Sequence, residues 1–161
     1  MSSSFKRQAV QIERSVHAHG HGSETIFARR PILTAIAVGA GSLAPHFFLP
    51  VQASLGFAAV LIGLIAGIYF GFAVMNGSAR DQFVEFSVAG LFAVAAIFGL
   101  LLSPIILPLA YLGHGLWDLA HHNKSRLSLV AIPQWYVPWC AVIDVIIGAG
   151  LIAIWARHGI L

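Results

Sequence analysis

Tyr111-Leu112-Gly113-His114-Gly115-Leu116-Trp117-Asp118-Leu119-Ala120-His121-His122 closes a long apolar segment, and its polar residues are spaced for a helix. His114, Asp118, His121 and His122 stand at i, i+4, i+7 and i+8, which is one stripe of a helix, with Tyr111 one turn earlier. Imidazoles and a carboxylate on one face of an apolar helix are costly in hydrocarbon, so they mark a polar interior. The same residue types ligate divalent metals and carry protons.

The surrounding chain has the same apolar character. Of 161 residues, 58% are hydrophobic and 9% charged, and the mean hydropathy is +0.85. A soluble domain carries about 25% charged residues, so the lipid bilayer is the expected solvent. A crossing takes about 20 apolar residues. The pattern predicts one all-α membrane domain, residues 31–161, with five transmembrane helices at about 31–49, 53–75, 82–102, 104–122 and 136–155. A polar tail, residues 1–30, precedes it.

The net charge is +3 and the pI about 9.5. Five of the nine Lys and Arg (Lys6, Arg7, Arg14, Arg29 and Arg30) precede residue 31, and the others are scattered. That distribution is an orientation signal and argues against nucleic acid as a partner. With the N-terminus in the cytoplasm, Arg80, Lys124 and Arg126 join these five on the inner side, and Arg157 alone lies outside. A bacterial inner membrane is the expected location. No signal peptide is expected, because the first apolar run begins after residue 30 without a cleavage site. The single cysteine, Cys140, excludes an internal disulfide and a Cys-based zinc cluster.

In the tail, Phe5, Ala9, Ile12 and Val16 recur at helical spacing, fitting either an amphipathic surface helix or a disordered arm. His17, His19 and His21 form a short tract of the kind that binds a divalent metal weakly. Pro45 should kink or end the first span, leaving His46 near the outer interface. There His46 is either a fourth imidazole for a site or an interfacial residue bonded to backbone that Pro45 frees. Gly63, Gly67 and Gly71, extended by Gly56 and Ala59, are read first as an intramolecular packing stripe and second as a dimer face. Tyr69 lies in the same span and needs a polar partner if buried. Asp81 is placed as the cap of the third helix. Trp135, Tyr136 and Trp139 supply an aromatic belt.

Three of the six acidic residues, Glu85, Asp118 and Asp144, fall within predicted spans. A mid-bilayer carboxylate costs about 2.5 to 3.5 kcal/mol on translocon scales, so each needs compensation. The topology places His114 and Asp144 roughly 12 Å from the inner face at about 1.5 Å per residue. Asp118 and Glu85 are shallower on the same side, and His121 and His122 are at the rim. All six can meet in the cytoplasmic half, while His46 lies opposite.

Three readings follow. The groups pair only to hold helices together. Alternatively, His114, Asp118 and His121 or His122 bind a divalent metal, zinc or iron, with Glu85 or Asp144 as a further ligand or general base. In the third, they carry protons or ions. Haem is disfavoured because the histidines cluster on one helix. A Ser-His-Asp triad has no nucleophile elbow. The metal reading implies a hydrolase or oxidoreductase on a lipid-like small molecule. The competing class is a small transporter or an accessory subunit, as a homo-oligomer or within a larger membrane complex.

The motif His114-Gly115-Leu116-Trp117-Asp118-x-x-His121-His122, followed by Trp135-Tyr136-x-Pro138 and Asp144, resembles a family of small bacterial integral membrane proteins of unknown function. The likeness covers roughly residues 31–156 and implies no activity. Ser42-x-x-x-His46 is similar in spacing to one motif of the alkaline-ceramidase and progestin-receptor-like superfamily. That likeness implies a zinc-dependent amide hydrolase with seven spans. This chain has two spans fewer, and its one H-x-x-x-H spacing, His17 to His21, lies in the tail, so the likeness serves as a chemical analogy.

Overall fold

The computed structural model describes residues 25–122 and 130–161. The tail through residue 24 with its His17, His19 and His21 tract, residues 123–129, and the side chain of His122 lie outside the described residues.

Every regular element among the described residues is helical. Helix α1 (Pro31–Leu43) starts on a proline, whose missing N–H would be unpaired at that position anyway. It passes into a 3₁₀ turn, Ala44–Phe47, at Pro45, which cannot continue the hydrogen-bond ladder. Helices α2 (Val51–Asn76), α3 (Ala79–Leu101), α4 (Ile106–His122) and α5 (Tyr136–Arg157) follow. Ser78, not Asp81, is the N-cap of α3. The Ser78 hydroxyl accepts from the Asp81 N–H, and the Asp81 carboxylate accepts from the Ser78 N–H at 2.8 Å. This capping box starts the helix three residues earlier than a cap at Asp81 does.

Helices α2, α3 and α5, of 26, 23 and 22 residues, are long and apolar enough to cross a membrane. The distribution of side chains agrees. Leu64, Phe83, Leu91 and Leu116 are 65 to 72% exposed, while Glu85, His114, Asp118, His121 and Asp144 are at most 1% exposed. An apolar shell around a charged centre inverts the pattern favoured in water and suits hydrocarbon.

Helix α4 occupies the middle, packed against α5, α3 and α2, and α1 lies on α5. Two glycines set how closely α4 and α5 approach. A Cβ on Gly148 would lie 2.9 Å from Leu112 Cγ and 3.0 Å from the Pro108 carbonyl. One on Gly115 would lie 3.4 Å from Asp144 Cβ and 3.5 Å from the Ala141 carbonyl. These contacts run antiparallel and carry Asp144 to the level of His114. The Tyr111 hydroxyl donates to the Ala58 carbonyl at 2.8 Å, tying α4 to α2.

The Gly63-Gly67-Gly71 stripe packs against none of the described residues. A Cβ at Gly56, Gly63, Gly67 or Gly71 meets nothing within 4 Å. The stripe faces outward, against the intramolecular reading of its spacing.

Gly148→Ala is expected to lower the unfolding midpoint in detergent, because overpacking typically costs about 1–3 kcal/mol. Gly67→Ala should leave the midpoint unchanged or raise it, since alanine is better than glycine in a helix by up to about 1 kcal/mol. Equal losses in both variants would contradict this packing.

Candidate functional site

Helical spacing on α4 stacks His114, Asp118 and His121 along its inner face, and α5 and α3 bring carboxylates against that face. The sequence-predicted residues sort into two adjoining groups. The first is His114, Asp118 and Asp144. His114 Nδ1 lies 2.7 Å from Asp144 Oδ2, with one proton between them, and 3.6 Å from Asp118 Oδ1. Each residue offers one ligand atom, and these atoms all lie within 4.8 Å of one another. All three side chains are buried.

Several of their polar atoms have no hydrogen-bond partner of good geometry among the described residues: His114 Nε2, both oxygens of Asp118, and Asp144 Oδ1. Buried polar groups in native proteins are nearly always bonded, and a buried ion is costlier still. Asp118, 0% exposed, has the Tyr69 hydroxyl and the Asp144 carboxyl close to its oxygens, neither in good hydrogen-bond geometry, so it is either protonated or beside a cation.

The second group is Glu85 and His121. His121 Nδ1–H donates to the Trp117 carbonyl at 3.0 Å, which fixes the proton on that nitrogen, because a carbonyl can only accept. His121 Nε2 and Glu85 Oε1 are 2.8 Å apart. One proton lies between them, making either an ion pair or a neutral acid and imidazole. Trp117 Nε1–H donates to Glu85 Oε2 at 3.2 Å, so each carboxylate oxygen has a partner. Glu85 is thus a partnered carboxylate, whereas Asp118 is not.

Tyr69 of α2 stands between the groups. Its ring centroid is 4.5 Å from that of His121 and 5.7 Å from that of His114, and its buried hydroxyl lies close to the Asp118 carboxyl, short of good hydrogen-bond geometry. Phe92 closes on His114 from α3 at 5.0 Å.

The six residues singled out in the sequence therefore divide. Asp144 stands with His114 and Asp118. His121 stands with Glu85. The His122 side chain lies outside the described residues. Sequence reasoning gave Trp117 no role and left Tyr69 uncertain. Trp117 sits one turn before His121 on the same helix, and asking what satisfies a carboxylate beside that face would have found it. His46 belongs to neither group: its Nδ1 lies 2.7 Å from Ser54 Oγ, a side-chain partner in place of freed backbone. Ser42 donates to the Val38 carbonyl, so the Ser42–His46 spacing is taken up locally.

The model for a family of unknown function, DUF6010, matches residues 30–158. The chain belongs to this family. The DUF6010 match takes in all five helices and both groups. No curated protein and no solved structure matches. The alkaline-ceramidase likeness gains no support from these comparisons. With no activity attached to DUF6010, function rests on the site.

Glu85→Ala leaves His121 Nε2 without its partner and is expected to cost about 3–5 kcal/mol of stability. Trp117→Phe removes one hydrogen bond and should cost about 1 kcal/mol. Unfolding in mild detergent measures both. Trp117→Phe as damaging as Glu85→Ala would contradict the bonding described.

Proposed function

We propose that the chain is a five-span protein of a bacterial inner membrane, with its N-terminus in the cytoplasm. In it, His114, Asp118 and Asp144 bind one divalent metal, zinc or iron, for hydrolysis or oxidation of a lipid-like substrate. The observation that carries this reading is Asp118, buried with two unsatisfied oxygens next to a second carboxylate and an imidazole.

Charge balance supports a divalent ion. Two carboxylates and a neutral imidazole total −2, which one divalent cation cancels in a medium that tolerates no net charge. Spacing supports it as well. Ligands about 2.1 Å from a tetrahedral centre lie roughly 3.4 Å apart, close to the 3.6 Å between His114 Nδ1 and Asp118 Oδ1. The His114–Asp144 pair, 2.7 Å apart, would open by under an ångström, with His114 neutral and its one proton on Nε2 so that Nδ1 is free to ligate. Three protein ligands with a free position are the pattern of catalytic zinc sites.

When bound, such a metal supplies a Lewis acid and lowers the pKa of a water toward neutrality. Glu85 and His121 then have a clear task. Their shared proton can be given up and regained, the pair alternating between net charge 0 and −1, which suits a general acid–base pair. Tyr69 packs against both imidazoles and holds them in register.

A second reading is a proton carrier or accessory subunit. The outward Gly63-Gly67-Gly71 stripe favours it, since small residues there admit a second copy or another membrane subunit.

Metal analysis of detergent-purified protein tests the first reading. About one zinc or iron per chain is expected, and Asp118→Asn should abolish it. The same variant should be at least as stable as the metal-free wild type, because an amide replaces an unsatisfied buried carboxyl. A metal-free wild type together with a destabilised Asp118→Asn would leave only a helix-pairing role.

A further inference from the structure

At the opposite end of the bundle, a relay of three side chains fixes the state of His46. Trp155 Nε1–H donates to Ser54 Oγ at 3.0 Å. The Ser54 hydroxyl has one proton, and its other neighbour is His46 Nδ1 at 2.7 Å. No other acceptor for that proton is within hydrogen-bond reach among the described residues, so the hydroxyl donates to Nδ1 and a neutral His46 carries its proton on Nε2. That Nε2–H is buried and has no partner among the described residues. His46 itself is 4% exposed, wedged by edge contacts with Phe57 and Trp155. A buried donor with no acceptor calls for one from outside the chain.

The space it borders is a cavity of about 130 Å³ lined by His46, Ser54, His158 and Ile160 among others. A wider groove of about 560 Å³ adjoins it, sharing Phe47 and His158 and adding Ala153, Ile154 and Arg157. Arg157 makes no ion pair among the described residues, where the only close charged pairs are those of the His114 and His121 groups. An N–H donor and the His158 imidazole thus line a polar recess, with the Arg157 guanidinium in the adjoining groove and an apolar wall beside it at the end of a membrane-length helix. Lipid phosphates lie at that depth of a bilayer, with acyl chains just below.

We propose that this recess binds the phosphate of an anionic phospholipid. His46 Nε2–H donates to a phosphate oxygen, Arg157 neutralises its charge, the His158 imidazole offers a further N–H, and an acyl chain lies along Phe47, Ala153 and Ile154. Arginine suits such a site because its planar fork can reach two phosphate oxygens at once.

The test uses the full chain, delipidated in detergent, with phosphatidylglycerol, phosphatidylcholine and inorganic phosphate as separate probes. Native mass spectrometry and the thermal midpoint read binding. Phosphatidylglycerol should be retained at roughly tenfold lower concentration than phosphatidylcholine and should raise the midpoint. Arg157→Gln with His158→Gln, both exposed and not expected to disturb folding, should abolish the preference. His46→Phe, which keeps an aromatic ring but lacks the donor, should weaken retention several-fold for both lipids. Equal retention of the two lipids by wild type, or a preference that survives Arg157→Gln with His158→Gln, would overturn the proposal. Inorganic phosphate stabilising as well as the lipid would overturn the lipid assignment in favour of a soluble phosphate.

Discussion

The constraint on which this structure turns is the placement of Asp118 and Asp144 where water does not reach. Hydrocarbon-facing helices cannot hold two bare carboxylates side by side without positive charge among them. His114 shares one proton with Asp144 and makes no hydrogen bond to Asp118. What remains must come from protons or from a metal ion. The two candidate functions of the chain are those two answers to a single electrostatic demand.

The packing is arranged to create that demand. Gly115 and Gly148 let α4 and α5 approach closely, and this closeness puts Asp144 within hydrogen-bond reach of His114. Larger residues at these positions would separate the helices and admit solvent or lipid. Glu85 shows the contrasting case. Each of its oxygens is bonded, to His121 and to Trp117, so it brings no unmet charge of the same kind. A satisfied pair and an unsatisfied trio therefore lie side by side, bridged by Tyr69.

Much of this was legible in the residues, and the limits have physical causes. Helical spacing alone places His114, Asp118 and His121 on one stripe, and the cost of burying Glu85, Asp118 and Asp144 predicts that they face inward. Spacing does not fix how one helix is rotated against another, so it could not say that Asp144 faces His114 while Glu85 faces His121. That choice is made by the α4–α5 glycine contacts, whose signal is only two glycines among sixteen. The outward stripe of α2 shows the reverse problem. Small residues spaced by four fit an internal or an external helix equally well, and only coordinates separate the two. Proline and capping signals act within one chain segment. Pro45 therefore ended α1 as expected, and the start of α3 was misplaced only by overlooking Ser78.

The central claim is that the His114, Asp118 and Asp144 group takes up positive charge equivalent to a divalent cation. Proton release on metal addition tests it most directly. Metal-free protein in weakly buffered detergent would be titrated with zinc while the pH is followed. Displacement of the protons that neutralise the carboxylates predicts one to two protons released per bound zinc, falling when Asp118 is replaced by Asn. Zinc uptake without proton release, or release unchanged in that variant, would contradict the account.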